Sequence, residues 1–453
     1  MGVTSSSSEA PASAGAAERK KSLFLTLGAN LGILVLTMAT GMLNARLLGP
    51  SGRGELAAIQ TIPSIIGTIA FLGLPSAVAY FSARRPAETR MFASTAVVLC
   101  LLASIPAVAL GYLAMPRLLG GQSASVIHGA RVYLWFIPLQ AVVIMPYLAL
   151  QGLGRFGVWN LLRLAPNVAS LTAIGVAWAT GAATAQRFSG WYLFTYAMIG
   201  PIAYAAFWGN STGPARPSAR PIGDLLRYGL PSALMIPAGM VNLQMDQMLM
   251  AAWLPSKVLG LYAVSVSWTS MLSAVFGALG PVLFPALAAT QDPAEQRILV
   301  ARSFRLGILA VLVLGAGLAL VTPFLLPLFF GRAFAPAVPA ALILVAAAVV
   351  LNLVNLTGEI LRGLGLPRWP LFGQVAALPV TVVLLIVLLP RWTIVGASVA
   401  SLIAYTVTAV VCVGGIVKTR DIPARELLLP TSADVRVLWE IARRSLRRKG
   451  STT

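Results

Sequence analysis

The chain alternates between long apolar runs and short polar or Pro/Gly-rich breaks. The runs fall at about 22–46, 55–82, 91–115, 129–151, 158–180 and 190–209, and then at about 224–252, 259–288, 301–329, 336–361, 370–390 and 394–417. Each is long enough, at about 1.5 Å per residue, to cross the ~30 Å hydrocarbon core of a bilayer as an α-helix. The pattern predicts an all-α membrane protein of about 12 transmembrane helices. Several runs contain proline, including Pro63, Pro138, Pro166 and Pro379. A soluble helix would break there, whereas in a membrane bundle neighbouring helices satisfy the freed carbonyls.

The runs come in two sets of six. Residues 43–54 read LNARLLGPSGRG and residues 249–260 read LMAAWLPSKVLG. At an offset of 206, Leu43 matches Leu249, Gly54 matches Gly260, Ala57 matches Ala263 and Pro75 matches Pro281. Further on, LQGLG at 150–154 matches LRGLG at 361–365 at an offset of 211. Ordered matches at nearly constant spacing indicate a duplicated six-helix unit. Six is even, so both copies enter the membrane in the same orientation, related by a pseudo-two-fold axis along the membrane normal. The expected organisation is a polar tail (1–21), a first lobe (22–209), a linker (210–223), a second lobe (224–417) and a basic tail (418–453). In that last tail Val435, Leu438, Trp439, Ala442 and Leu446 share one helical face. Such a helix suits the surface of an anionic leaflet.

Composition sharpens this reading. Of the 453 residues 58% are hydrophobic and 10% charged, yet Lys and Arg number 33 against 13 Asp and Glu. If the N-terminus is cytoplasmic, 25 of those cations fall on cytoplasmic segments and 8 on the outer side. That bias accounts for the net charge of +20 without nucleic acid and places both termini in the cytoplasm. Cys100 and Cys412 lie inside apolar runs and read as free, buried thiols. With His128 as the single histidine, expected in a loop, no metal site can be assembled, and no cofactor motif or catalytic constellation is present.

Polar residues inside the spans carry the candidate chemistry, because lipid rejects them. Asn30, Thr37, Gly41 and Asn44 share one face of helix one. Asn242 and Asp246 share a face of helix seven. Asn352, Asn355, Glu359 and Arg362 share a face of helix ten. Each stripe should face protein or a water-filled cavity; the alternative role is interhelical hydrogen bonding. Arg46 and Arg53 flank the first outer turn. Arg46 either reaches Asp246 or snorkels to the interface. Glu359 and Arg362 form either a local i, i+3 ion pair or, with Arg362 turned inward, a phosphate site.

The stretch Asn44-Ala45-Arg46-Leu47-Leu48-Gly49-Pro50-Ser51-Gly52-Arg53-Gly54-Glu55-Leu56, followed by Gly73-Leu74-Pro75, resembles the start of the bacterial polysaccharide-biosynthesis (oligosaccharide) flippases. These belong to the multidrug/oligosaccharidyl-lipid/polysaccharide exporter superfamily. The resemblance extends over roughly 22–417 in architecture, the two-lobed form shared with MATE-like transporters. It implies a non-enzymatic transporter of the bacterial inner membrane, and the duplicated lobes, which already supply a two-sided clamp, predict a monomer. Undecaprenyl-pyrophosphate-linked glycan would cross from the cytoplasmic to the outer leaflet by alternating access, possible partners being membrane lipids and a polysaccharide polymerase. The cavity would lie between the lobes, lined by helices one, two, seven and eight. A cation-coupled multidrug exporter of the same superfamily, using Asp246 and Glu359, is the competing expectation. A membrane glycosyltransferase or polymerase would need larger outer loops than this chain has.

Overall fold

The computed structural model describes residues 10–276 (except 182 and 215) and 292–428 (except 367, 421 and 422). Among them there is no strand. The helices are α1 (Ala10–Ala70), α2 (Leu74–Arg84), α3 (Thr89–Leu118), α4 (Ala124–Tyr133), α5 (Phe136–Gly152), α6 (Phe156–Ala179) and α7 (Ala185–Asn210), followed by α8 (Ile222–Trp253), α9 (Ser256–Phe276), α10 (Pro293–Phe330), α11 (Val338–Gly363), α12 (Arg368–Arg420) and the short α13 (Ala424–Leu428). The basic helix expected near the C-terminus falls outside the described residues.

Among the described residues seven helical segments are long and apolar enough to cross a membrane. Two of them turn back on themselves. Segment Gly28–Ala70 bends at Gly49 (φ 64°, ψ −178°), and Arg368–Thr419 at Thr393 (φ 47°). Counting those bends gives nine crossings, and the less apolar α7, α8 and α9 complete twelve. Large apolar side chains such as Leu113, Ile105, Leu320 and Phe324 lie on the outside, where hydrocarbon covers them.

Bends and breaks do not fall at the prolines within these spans. Pro63, Pro106, Pro146 and Pro166 sit inside continuous helices. The run expected at 55–82 is instead broken at 71–73. Leu72 (φ 49°) and Gly73 (φ 69°) are left-handed there, and Pro75 restarts the helix at α2, where its missing N–H costs nothing. The run at 129–151 likewise divides at Leu134–Trp135 into α4 and α5. His128 belongs to α4 and not to a loop.

The duplication is visible in the hydrogen bonds. At the end of α5 the Arg155 N–H donates to Leu150 O (3.0 Å) and the Gly154 N–H to Gln151 O (3.0 Å). At the end of α11 the Leu366 N–H donates to Leu361 O (2.8 Å) and the Gly365 N–H to Arg362 O (3.0 Å). The offset is 211 throughout. Gly154 (φ 70°) and Gly365 (φ 76°) supply the left-handed residue that this helix termination needs. The two LxGLG strings are therefore one turn, written twice.

The halves meet along α1 and α9, which pack extensively against each other. At its centre, a Cβ on Gly54 would lie 1.7 Å from the Ser256 carbonyl oxygen, and one on Gly260 1.8 Å from that of Pro50. Adding 206 to 50 and 54 gives 256 and 260, so the two close approaches are symmetry mates. The pseudo-two-fold axis passes through this glycine pair. Gln122 reinforces the same end of the molecule. Its amide donates to Ala251 O (2.9 Å) and Leu254 O (2.8 Å), and its Oε1 accepts from Ser256 Oγ (2.7 Å).

A polar pocket around Arg53 as the candidate functional site

A pocket of about 480 Å³ opens beside the glycine seam. Helix α1 contributes twice: Thr37, Thr40, Gly41 and Asn44 before the Gly49 bend, and Arg53, Gln60 and Ser64 after it. The bend exists so that both limbs can present polar residues to one space. Across from them stand Tyr133 of α4, Phe136 and Gln140 of α5, Asn167 and Ser170 of α6, and Tyr192 and Tyr196 of α7; Ser267 of α9 comes from the other half.

Arg53 is the single charged residue among these. Its side chain makes one long hydrogen bond, to Ser267 Oγ at 3.4 Å, and its buried Nε has no partner. No carboxylate lies within ion-pairing distance among the described residues. The buried Asn44 Oδ1 and Gln140 Oε1 are also unsatisfied. Leaving such atoms unmade inside a protein costs ~1–3 kcal/mol each, and more for a charge. Three of them converge on one pocket, where the guanidinium is open to a negatively charged acceptor and the two amide oxygens to hydrogen-bond donors. The aromatic wall is continuous, with ring centroids at 5.2 Å for Tyr133–Phe136, 5.0 Å for Phe136–Tyr196 and 5.8 Å for Tyr192–Tyr196.

The structure distributes the sequence-predicted residues unequally. Asn44 and Arg53 line the pocket; Asn30, half-buried fourteen residues before Asn44, does not. Arg46 neither reaches Asp246 nor simply snorkels. Its Nε donates to Phe329 O (2.8 Å) and an Nη to Leu328 O (2.6 Å), satisfying carbonyls that the end of α10 leaves free. The seventh span of the sequence reading, which is α8, has no residue in the lining of this pocket, contrary to expectation. The Asn242 amide donates to Gln374 Oε1 (3.1 Å) and its Oδ1 accepts from Thr381 Oγ1 (2.8 Å), which ties α8 to α12. Asp246 is buried in the second half. It accepts from the Tyr262 hydroxyl, from Ser401 Oγ (3.3 Å) and from the Gln247 N–H (2.7 Å). Asn352 donates to Ser273 Oγ (3.3 Å) and Ala348 O (2.7 Å). Asn355 is exposed, and Arg362 pairs locally with Glu359.

Sequence reasoning missed Gln60, Gln140, Asn167 and the tyrosines. All are neutral, so a search for charges inside spans passes over them. The signal was present as spacing: Gln60 and Ser64 at i, i+4, Tyr192 and Tyr196 at i, i+4, and Tyr133, Phe136 and Gln140 at i, i+3, i+7.

A family described as polysaccharide biosynthesis protein matches residues 20–291. Comparison with curated proteins finds no match in sequence. Among solved structures, the lipid II flippase MurJ in an inward closed conformation is 13% identical. It aligns with a TM-score of 0.70 over 93% of this chain and 93% of its own. A multidrug resistance MATE family transporter of the MOP superfamily, in an inward-facing conformation, is 15% identical with a TM-score of 0.68, covering 88% of this chain and 99% of its own. A eukaryotic MATE transporter is 17% identical with a TM-score of 0.61, covering 90% and 97%. At these identities the likeness is one of fold.

Proposed function

The chain belongs to the polysaccharide biosynthesis protein family, and from that membership we propose that it flips an undecaprenyl-pyrophosphate-linked oligosaccharide from the cytoplasmic to the outer leaflet of the bacterial inner membrane. The observation that carries this reading is Arg53, a guanidinium without a carboxylate partner in a pocket with two further unsatisfied amide oxygens. A diphosphate supplies the missing negative charge, and a guanidinium can grip it with two parallel hydrogen bonds. Asn44, Gln60 and Gln140 offer amides to sugar hydroxyls, and the aromatic wall offers faces to sugar rings. At about 480 Å³ the pocket has the size of a small-ligand site. It suits the diphosphate and the adjoining sugar, while the lipid tail stays in the bilayer.

Movement follows from the two-lobed fold. The seam at Gly54 and Gly260 closes the outer end, so the pocket is loaded from the cytoplasmic side and emptied when the seam parts. Transport of this kind needs no covalent chemistry. The duplicated halves already supply both jaws of the clamp, so one chain suffices.

A second reading is favoured by one feature, the buried Asp246 with its hydroxyl partners and no cationic partner among the described residues. A carboxylate so placed is what a cation-coupled multidrug exporter would use. The test is deletion of the gene and complementation with wild type, Arg53→Ala, Arg53→Lys and Asp246→Asn, followed by analysis of lipid-linked sugars and drug sensitivity. The flippase reading expects cytoplasmic-face repeat units to accumulate in the deletion and with Arg53→Ala, partial recovery with Arg53→Lys, and full recovery with Asp246→Asn. Intact surface glycans together with drug sensitivity that Asp246→Asn fails to correct would establish the exporter instead.

A further inference from the structure

A larger, separate cavity of about 910 Å³ lies between α3 and the α4–α5 pair. Its walls are apolar: Leu101, Ile105 and Leu113 of α3, Val132 of α4, and Trp135 at the break between α4 and α5. Ile105, Leu113 and Trp135 are 63–73% exposed, which for a membrane protein means facing lipid. From Leu101 to Leu113 the groove runs twelve residues along α3, or about 18 Å. That is the depth of one leaflet, about half of the ~30 Å core. Because α3 climbs toward the glycine seam, the leaflet is the one on the seam side.

The groove has a polar head. Arg131 sits at its interfacial end, with His128 one turn earlier on the same face. The Arg131 Nε donates to Tyr112 O at 3.1 Å and its guanidinium lies 4.2 Å from the Tyr112 ring centroid. Those contacts fix the plane of the group and leave both terminal amino groups without a protein partner among the described residues. A fixed guanidinium at the interface above a leaflet-deep apolar trough is complementary to one kind of molecule.

We propose that this groove is a binding site for an anionic phospholipid, with its phosphate on Arg131 and His128 and its acyl chains along α3. Geometry argues for a resident lipid rather than cargo in transit. The α4–α5 pair turns Tyr133, Phe136 and Gln140 toward the Arg53 pocket, and Arg131, Val132 and Trp135 toward the groove. The helix pair therefore separates the two spaces. The proposal does not depend on what the Arg53 pocket carries.

The test is native mass spectrometry of the full, delipidated protein titrated with dioleoyl phosphatidylglycerol, dioleoyl phosphatidylcholine and undecaprenyl phosphate. The wild type should bind phosphatidylglycerol in preference to phosphatidylcholine. The double variant Arg131→Gln, His128→Gln should lose about tenfold or more of its phosphatidylglycerol affinity, the loss expected for a hydrogen bond to a charged group. Ala109→Phe, which fills the groove from an exposed position, should lose both phospholipids. Arg187→Gln, an exposed arginine on α7, should match the wild type. Equal retention of the two phospholipids by the wild type would overturn the proposal, as would undiminished phosphatidylglycerol binding by the double variant. Loss of only undecaprenyl phosphate in the groove variants would overturn it in favour of a cargo route. None of these outcomes bears on the Arg53 complementation result, so the two readings fail separately.

Discussion

Replacing Gly54 with alanine should open the seam between the halves. The new Cβ would stand 1.7 Å from the Ser256 carbonyl oxygen. A carbon and a carbonyl oxygen settle at no less than ~3.3 Å, so α1 and α9 must part by about 1.5 Å. No rotamer change can relieve the clash, because the obstacle is backbone. Overpacking of this kind costs about 1–3 kcal/mol, and each 1.4 kcal/mol is about tenfold in an equilibrium. The closed state should lose roughly fivefold to a hundredfold in population relative to the open one. Gly260→Ala meets the Pro50 carbonyl oxygen at 1.8 Å and should behave alike. One separation relieves both clashes, so the double variant should cost little more than either single one, a marked departure from additivity. Spin labels on cysteines introduced at the exposed Ser123 and Lys257 would read the separation by pulsed electron resonance, since the native Cys100 and Cys412 are buried. Wild-type distance distributions with wild-type transport in both alanine variants would refute the reasoning.

Other outcomes follow from the same contacts. Arg53→Ala removes a charge that no carboxylate among the described residues pairs, so it should leave the melting temperature unchanged or raised while transport is lost; a fall in Tm with transport intact would mean that Arg53 is structural. Tyr262→Phe takes a hydroxyl donor from buried Asp246 and should destabilise by about 1.5–3 kcal/mol, as read from detergent unfolding curves. Arg362→Ala breaks an exposed local pair with Glu359 and should change stability by less than about 1 kcal/mol, with transport unaltered. Thr393→Gly relieves a β-branched residue at φ 47° and should stabilise by about 1 kcal/mol, visible as a higher Tm.

The fold was legible because a bilayer leaves few options: runs of apolar residues can be little else than spans, and the repeat at offsets 206 and 211 divides them into halves. Breaks within spans were harder to read. Gly73-Leu74-Pro75 has the chemistry of a helix restart, but its apolar composition hides it inside the run at 55–82. The candidate site was read in part. Asn44 was found by its place on the polar stripe of helix one, and Arg53 as a cation flanking the first outer turn. Asn242 and Asp246 share a face as expected, yet that face is turned into the second half, where Gln374, Thr381, Tyr262 and Ser401 receive it. Helical spacing tells which residues share a face; it does not tell what that face meets. Arg46 shows the same limit, since its partners are backbone carbonyls some 280 positions away that no side-chain pattern announces.

The glycine seam also bears on how the two halves can change over evolutionary time. If a single six-helix chain once paired with an identical copy, Gly54 and its mate would have been one position seen twice, and any substitution there would have struck both sides of the dimer together. Fusion turned that position into Gly54 and Gly260, free in principle to diverge. Steric reciprocity withdraws the freedom: the backbone around each glycine is the wall that the other must fit, so neither half can drift at this point without the consent of its twin.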